Sequence, residues 1–397
     1  MTGSPIIRIA AKGDGVAADG RHVAGGVPGD ILLADGSLEP GPHRVAPPCR
    51  HFARCGGCQL QQADETALTR FVTERVTSAA ASQDIAVGGL LGTHISPPHS
   101  RRRATLHGLK TAGKFVLGFR EAGSHRIVDV TECPVLRSEL FRIIGPLRAI
   151  LAKLSSKAPV DVALTLTDQG LDCTLTGIQL DGLGPTEALL DFAREQALAR
   201  LSLDQGYGAE TLWEPEPVTV TLGGVAVAFP EQGFLQPTQD AEAILAQDAR
   251  DFTEGAQTIA DLFAGLGTFA FHIANPAKVL AVEAARDAHL ACKAAANALR
   301  LPVHAVHRDL FRNPLQPDEI SRFEAVVLDP PRAGAREQVA TIAASEIKRV
   351  VYISCNPASW ARDAKTLAEA GFRLEKLRPV GQFRWSTHVE LTSLFAR

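Results

Sequence analysis

Three cysteines lie within ten residues of each other, as Cys49, Cys55 and Cys58, and two glycines separate the last pair. Thiolates at such short spacing favour soft metals, so this run predicts a site for zinc, copper(I) or an iron-sulfur cluster. The best distant candidate for a fourth ligand is Cys133, because cysteines followed by proline recur among cluster ligands. Three unrelated buried cysteines are the alternative. Disulfides are the weaker interpretation, because the chain has no paired cysteine framework.

A second group of reactive side chains lies in the last third of the chain, where polar residues follow apolar runs. Asp329 precedes two prolines and Cys355 precedes an Asn-Pro pair, so rigid turns would hold both side chains at the end of a strand. A cysteine in such a loop beside a ligand cleft is better explained as a reactive thiolate than as a buried structural residue. Glu390 is the candidate base for this chemistry, and an ordinary surface carboxylate is the alternative.

The segment from Asp261 to Ala270 contains Gly265 and Gly267 between a predicted strand and a predicted helix. Such a turn lets a ligand approach the backbone, and NAD and S-adenosylmethionine compete as that ligand, with Glu283 as a ribose contact. A turn without any ligand is the third possibility. The thiol of Cys355 favours the methyl donor, because hydride transfer to NAD has no use for a thiolate. A thiolate that adds to carbon-6 of a uracil makes carbon-5 nucleophilic, and a carboxylate must then remove the carbon-5 proton.

Strands and helices alternate in the last third, and this rhythm predicts a parallel, doubly wound α/β sheet. The predicted strands are Thr258 to Leu262, Lys278 to Glu283, Val303 to Val306, Ala325 to Leu328 and Arg349 to Ser354, then an antiparallel edge pair, Phe372 to Val380 and His388 to Ala396. The clearest predicted helices are Arg286 to Leu299 and Arg336 to Ala344. The glycine-rich turn, the aspartate and the thiol would then share the carboxyl edge of one sheet.

Earlier in the chain, short strands broken by glycine predict a small β-module within the first 45 residues. Helical spacing of apolar residues then runs from Gln59 to Ala81. The segment from residue 100 to residue 230 mixes strands with helices. The predicted strands include Val160 to Leu166 and Val218 to Phe229, and the predicted helices Leu136 to Ser155 and Glu187 to Leu201.

The 397 residues are 45% hydrophobic and carry a net charge of −3, which is ordinary for a globular protein and gives no global argument for a nucleic-acid partner. No apolar stretch predicts a membrane span or a secretory signal, so we expect a cytoplasmic protein. From Arg101 to Arg126, however, seven lysines and arginines stand against Glu121 alone. Such a basic segment is either a solvated face or an array that binds phosphates.

Together these segments resemble the S-adenosylmethionine-dependent RNA (uracil-5-)-methyltransferase family. The resemblance covers most of the chain and is carried by the cysteine run with Gln61, by Arg101-Arg102-Arg103, by Cys133-Pro134 and by the ordered motifs of the last third. It implies Cys355 as the nucleophile and Glu390 as the base. The implied cofactor contacts are Gln236, Phe263, Glu283 and Asp309, with Asp329 at the junction of cofactor and target base.

The four cysteines resemble the subgroup of this family that carries a 4Fe-4S cluster and acts on 23S rRNA. The implied architecture is a short TRAM-like β-barrel at residues 1–45, a central β-rich iron-sulfur and RNA-binding domain at residues 46–235, and a Rossmann-like class I methyltransferase domain at residues 236–397, on which the helix at 59–81 would pack. The implied reaction is methylation of carbon-5 of a specific uridine in 23S rRNA. The same reaction on tRNA and a catalytically inactive RNA-binding module are the alternatives. We expect a monomer without an obligate protein partner.

Overall fold

The structure is a computed structural model that describes residues 3–111, 113–155 and 158–397.

The N-terminal residues form a small antiparallel sheet. The five strands of this sheet lie in the order β3-β2-β1-β4-β5. They are β1 (Ser4–Ile9), β2 (Gly15–Ala17), β3 (His22–Val23), β4 (Ile31–Leu32) and β5 (Leu38–Glu39). The TRAM-like barrel stays a prediction, and the first two residues of its range lie outside the described residues.

Helix α1 (Glu65–Ala81) begins later than the predicted Gln59, because the Asp64 carboxylate caps it by accepting a hydrogen bond from the Ala67 N–H at 2.8 Å. Its buried apolar stripe, which includes Phe71, shares one core cluster with the C-terminal sheet. Strand β6 (His94–Ile95) is also part of that sheet. Residues 65–95 therefore complete a sheet whose other strands come much later, and the predicted domain boundaries stay predictions.

A second sheet of seven strands follows, in the order β13-β12-β11-β10-β7-β8-β9. Its strands are β7 (Arg103–Thr111), β8 (Lys114–Arg120), β9 (Ile127–Asp129), β10 (Val160–Thr167), β11 (Gly170–Thr176), β12 (Arg200–Asp204) and β13 (Ala209–Trp213). Its helices are α2 (Ser138–Arg142), α3 (Ile144–Leu154) and α4 (Leu183–Glu195). These helices cover its apolar face, and we call this unit the central sheet.

Two predicted helices differ from the structure. The predicted helix from Leu136 to Ser155 is divided at Ile143 into α2 and α3. Pro146 explains the break, because it has no N–H to bond the carbonyl four residues earlier. The predicted helix from Glu187 to Leu201 ends at Glu195, and the residues beyond it lead into β12.

The predicted strand from Val218 to Phe229 is a hairpin instead. It consists of β14 (Thr219–Leu222) and β15 (Val225–Ala228). Gly223 and Gly224, with φ of +56° and +80°, form the turn between them. Two consecutive residues with positive φ match the twist of a tight hairpin, and glycine adopts them without a Cβ clash.

The C-terminal sheet has eight strands in the order β18-β17-β16-β19-β20-β22-β21-β6. Its later strands are β16 (Thr258–Leu262), β17 (Lys278–Glu283), β18 (Val303–His307), β19 (Ala325–Leu328), β20 (Arg349–Ser354), β21 (Arg373–Gly381) and β22 (Glu390–Ala396). The helices are α5 (Gln239–Phe252), α6 (Ala270–Ile273), α7 (Arg286–Ala298), α8 (Pro317–Ile320), α9 (Arg336–Ala344) and α10 (Pro357–Glu369). No helix in the described ranges is long and apolar enough to cross a membrane.

Helices cover both faces of the C-terminal sheet. Ile259 of β16 packs in a core cluster with α5 and α7, whereas its neighbour Ala260 enters the cluster of α1, α9 and α10. Strands β16 to β20 are parallel, so the predicted doubly wound α/β sheet is confirmed. The last two strands do pair antiparallel, but β22 lies between β20 and β21, and β6 forms the edge.

Candidate active site

Asp329, Cys355 and Glu390 meet at the carboxyl edge of the C-terminal sheet. Asp329 follows the end of β19 and Cys355 follows the end of β20. Strand β22 runs in the opposite direction, so its first residue, Glu390, lies at the same edge, and Ser354 pairs with Leu391. Cys355 and Glu390 each lie one residue beyond this pair, on the same side of it, and both side chains line the same two cavities. The structure thus brings together residues predicted from three separate segments.

Burial controls the protonation of these three groups. It raises the pKa of Asp329 to about 7. Burial, helped by the nearby Asp329 charge, raises the pKa of Glu390 to about 8, against the lowering effect of a hydrogen bond from Gln382. Burial, then Glu390 and Asp329, raise the pKa of the Cys355 thiol to about 11, while the Arg332 guanidinium lowers it. A carboxyl group with a pKa near neutrality is suited to take up and release a proton.

Gln236 links two buried polar groups of this site. Its Nε2 donates to Asp329 Oδ2 at 3.4 Å, and its Oε1 accepts from Gln382 Nε2 at 3.0 Å. Arg102 holds the backbone here, because its Nε donates to the Gln236 carbonyl at 2.9 Å while its Nη2 pairs with the buried Glu242 at 2.5 Å. The interpretation of Arg102 as part of a phosphate-binding face is therefore wrong, since its guanidinium is buried and paired.

A cavity of about 700 Å³ lies beside the glycine-rich turn after β16. Gly265 faces open space there, because a Cβ atom added to it would meet no atom within 4 Å. Glu283 holds the turn, since its carboxylate accepts hydrogen bonds from the N–H groups of Gly265 at 2.8 Å and Ala285 at 2.6 Å. All five residues predicted as cofactor contacts line this cavity: Gln236, Phe263, Glu283, Asp309 and Asp329.

Phe311 also lines this cavity and was not predicted. Its ring centre lies 5.4 Å from that of Phe263, and its N–H donates to Asp309 Oδ1 at 2.9 Å. Nothing local in the sequence marks Phe311, because its contact with Phe263 exists only in the folded chain. Two aromatic rings give the cavity an apolar wall that suits a planar heteroaromatic ring.

The charged lining of this cavity bears on its ligand. Six acidic residues line it against three arginines: Glu231, Glu283, Asp287, Asp309, Asp329 and Glu390, with Arg286, Arg308 and Arg332. Arg308 is already paired with Glu319 at 2.8 Å. Asp329 and Glu390 are partly protonated near neutral pH because their pKa values are about 7 and 8, so the excess of negative charge rests on the other four carboxyl groups. That excess favours a cationic ligand over the anionic pyrophosphate of NAD. The residues therefore fit S-adenosylmethionine, which carries a sulfonium charge and an adenine ring.

The four predicted cluster ligands line a second cavity, of about 620 Å³, that also reaches Cys355: Cys49, Cys55, Cys58 and Cys133. Gln61 supports the run, since its Oε1 accepts a hydrogen bond from the Cys49 N–H at 3.2 Å. Burial raises the pKa of the Cys58 thiol to about 12. Within the described ranges, no group of three or more Cys, His, Asp or Glu side chains could hold a metal ion. A cluster is wider than one ion, and four thiols around one cavity are the donor set that it requires.

Known proteins similar to this chain include several RNA methyltransferases. A family described as tRNA (Uracil-5-)-methyltransferase matches residues 198–397. An uncharacterized RNA methyltransferase of Zymomonas mobilis is 49% identical over 393 residues, which are 99% of either chain. The 23S rRNA (uracil(1939)-C(5))-methyltransferase RlmD of Pectobacterium atrosepticum is 34% identical over 377 residues, or 90% of this chain and 81% of the relative. The crystal structure of Pyrococcus abyssi tRNA (uracil-54, C5)-methyltransferase with S-adenosyl-L-homocysteine has a TM-score of 0.76 at 21% identity, and covers 100% of this chain and 99% of that one.

A doubly wound sheet with an acid-lined cavity at its carboxyl edge defines a class I S-adenosylmethionine-dependent methyltransferase. The matched residues and the identity to the curated relatives narrow this class further. The chain belongs to the tRNA (uracil-5-)-methyltransferase family. It is accordingly an enzyme that uses S-adenosylmethionine to methylate carbon-5 of a uracil in RNA.

Proposed function

We propose that this enzyme methylates a specific uridine of 23S rRNA through a covalent bond between Cys355 and the target base. The main support for the covalent mechanism is the pairing of Ser354 with Leu391. This pairing places Cys355 and Glu390 side by side at one edge of the sheet. The five cavity-lining residues from Gln236 to Asp329 named above would hold S-adenosylmethionine, which supplies an electrophilic methyl group.

The chemistry follows from the two side chains. Cys355 Sγ adds to carbon-6 of the uracil, and the electrons of the 5,6 double bond move to carbon-5, which takes the methyl group. Glu390 then removes the carbon-5 proton, the double bond re-forms, and the bond between carbon-6 and Sγ breaks. Arg332 favours the thiolate that begins this sequence, since its charge offsets part of the rise in the Cys355 pKa that burial, Glu390 and Asp329 cause. With a pKa of about 8, Glu390 is a stronger base than an ordinary carboxylate.

The RNA substrate would contact the outer part of the basic segment, and Arg101 lines the cavity that reaches Cys355. Lys110, Lys114, Arg120 and Arg126 are exposed on β7, on β8 and in the loop that follows β8. Exposed cations contribute to RNA affinity by displacing counterions from phosphates. The target base must leave its stack to reach a thiol inside a cavity, which suits a loop or single-stranded segment better than a duplex.

The choice of 23S rRNA rests on two observations. A relative that aligns over most of the chain is a 23S rRNA enzyme, and the four thiols line one cavity. Cys49, Cys55, Cys58 and Cys133 would hold a 4Fe-4S cluster, to which we assign a structural role because methyl transfer moves no net electrons. The N-terminal sheet would add an RNA-binding TRAM-like barrel to a monomeric cytoplasmic enzyme.

The test is methylation of RNA from a strain that lacks the enzyme, with a labelled methyl donor and either 23S rRNA or tRNA. We expect label in one uridine of 23S rRNA, and Cys355→Ala should abolish it while S-adenosylmethionine still binds. Glu390→Gln should instead leave a covalent adduct of protein and RNA, which migrates slowly in a denaturing gel. Full turnover by Cys355→Ala would refute the nucleophile, and label in tRNA alone would refute the substrate.

A further inference from the structure

The residues that follow the cysteine run (Cys49–Cys58) are hydrogen-bonded to the loop that leads into the candidate base, Glu390. Residues 382–389 form the base loop, which joins β21 to Glu390 at the start of β22. The N–H groups of Gln59 and Leu60, the two residues after Cys58, both donate to the carbonyl of Trp385 in this loop, at 2.7 and 2.9 Å. Two main-chain donors on one carbonyl hold the middle of the base loop at a fixed distance from the cysteine run.

The side chain of Gln59 makes a second bridge across the same junction. Its Nε2 donates to the Gly56 carbonyl at 2.7 Å, and its Oε1 accepts a hydrogen bond from the Thr387 N–H at 3.4 Å. Gly56 lies between the predicted ligands Cys55 and Cys58, and Thr387 lies three residues before Glu390. The side-chain amide of Gln59 thus connects Gly56, inside the cysteine run, to Thr387, in the loop that leads into Glu390.

Trp385 shows why this loop needs to be held. Its φ is +62°, a left-handed conformation that is strained for a residue with a bulky side chain. Such a conformation persists only where the surrounding structure determines it. The two donors from Gln59 and Leu60 supply that constraint, together with Arg384, whose guanidinium lies 4.8 Å from the centre of the Trp385 ring.

We propose that Gln59 is a positioning residue that holds the base loop so that Glu390 faces the target base bound to Cys355. The inference rests on the proposed roles of these two residues. We expect Gln59 to act after the thiol has added to the uracil, because its hydrogen bonds join the cysteine run to the loop that leads into Glu390. The cysteine run therefore contributes to the final step of the reaction through hydrogen bonds.

The test is Gln59→Met, which keeps the side-chain length and removes both amide bonds. We expect kcat on uridine-containing RNA to fall by about tenfold, in line with the rate loss caused by small displacements of catalytic groups. The KM values for RNA and for S-adenosylmethionine should change by less than about twofold. RNA with 5-fluorouridine at the target, which cannot lose its carbon-5 substituent, should trap the variant in a covalent adduct as fast as the parent enzyme.

Two further variants complete the test. Gln59→Glu keeps the acceptor for the Thr387 N–H, so it should retain more of kcat than Gln59→Met. If Gln59→Met does not fold, the kcat of Gln59→Glu tests the positioning role instead. The matched control is Gln62→Met, which changes a buried glutamine whose Nε2 faces the Gly25 carbonyl at 3.5 Å instead of the base loop. Its kcat should equal that of the parent.

The outcomes separate this inference from the proposed function. Parental kcat in both Gln59 variants, or slower trapping by 5-fluorouridine RNA together with a raised KM for RNA, would overturn the positioning role. The first outcome would leave Gln59 without a part in turnover, and the second would make it an RNA contact. Failure of the parent enzyme itself to form the 5-fluorouridine adduct would instead refute the covalent mechanism.

Discussion

Glu390 is a buried carboxyl group between two buried apolar residues of the chain. Its neighbours Val389 and Leu391 are 1% and 0% exposed, and its own exposed fraction is 5%. Its pKa of about 8 is therefore mainly a property of burial, with Asp329 as the nearby charge and Gln382 as the opposing hydrogen-bond donor. A group that is costly to ionise in the folded chain must affect stability as well as catalysis.

The first residue-scale prediction concerns stability against pH. In the unfolded chain Glu390 takes the ordinary glutamate pKa of 4.5, and in the folded chain its pKa is about 8. The folded state binds this proton more tightly, so the stabilisation is full below the lower value and is lost as pH rises through the higher one. Glu390→Gln removes this dependence, so its melting temperature relative to the parent should rise from about pH 5 to about pH 9.

The matched control for that measurement is Glu369→Gln, which changes an exposed carboxyl at the end of α10. Its melting temperature should follow that of the parent across the same pH range. A constant difference between Glu390→Gln and the parent at every pH would contradict the raised pKa.

Some residues of the site could be predicted from the sequence and others could not, for a physical reason. Asp329 and Cys355 each follow a run that is plainly a strand, and the ends of parallel strands share an edge. Gln382 and Phe311 follow no such pattern, because their contacts with Gln236 and Phe263 arise only when distant segments pack. The catalytic and binding roles themselves stay predictions until the variants are measured.

At the scale of elements, the reversed strand β22 explains how a base enters a parallel sheet. Parallel strands all end at the ligand edge, so their residues arrive there from one direction only. Because β22 runs antiparallel to β20, it begins at that edge and places its first residue beside the end of its neighbour. The sequence predicted the antiparallel pair but placed it at the sheet edge, because pairing order depends on contacts that local patterns do not encode.

The basic segment from Arg101 to Arg126 serves two purposes, because some of its cations are buried and others are exposed. Arg102→Met leaves Glu242 buried without its partner, and should lower the free energy of unfolding by about 3–5 kcal/mol. Lys114→Met, on the exposed end of β8, should leave stability unchanged within about 0.5 kcal/mol. It should also lower RNA affinity and reduce the slope of log affinity against log salt by about 1.

Urea unfolding and salt-dependent RNA binding measure both effects. The two variants serve as controls for each other, since both replace a cation by methionine within the same segment. An unfolding midpoint that shifts as much for Lys114→Met as for Arg102→Met would contradict the division of the segment into buried and exposed parts.

At the scale of the whole molecule, the central sheet is inserted into the C-terminal one. The Arg102 N–H donates to the Pro237 carbonyl at 2.9 Å, and Ser96 Oγ lies 3.0 Å from Thr238 Oγ1. The chain therefore enters and leaves the central sheet at adjacent points. Strand β6 and helix α1, which come before this entry point, complete the C-terminal sheet and its core.

The isolated fragment 236–397 should consequently fail to fold. It lacks α1, whose buried Leu68, Phe71, Val72 and Val76 contribute about 1.5–3 kcal/mol each. Their sum, about 6–12 kcal/mol, is as large as the net stability of about 5–15 kcal/mol that is typical of a whole domain. Near-ultraviolet circular dichroism and limited proteolysis should show a chain without fixed packing.

The control joins residues 59–99 to residues 214–397 through a glycine linker, and so keeps the β14–β15 hairpin, whose apolar residues share a core cluster with α5 and α7. This fusion restores α1 and β6 and should unfold cooperatively. A cooperative transition in fragment 236–397 alone would contradict the structural role of the two early elements.

The early position of α1 also has a consequence for synthesis. About 300 residues separate Phe71 from Leu367 of α10, which belongs to the same core cluster. At about 5–20 residues per second, the ribosome takes roughly 15–60 s to deliver that partner. During this interval the apolar stripe of α1 has no core to enter, although the helix itself forms in microseconds. We therefore expect the nascent chain to expose this apolar surface for most of its translation, at a stage when the protein is most prone to aggregate.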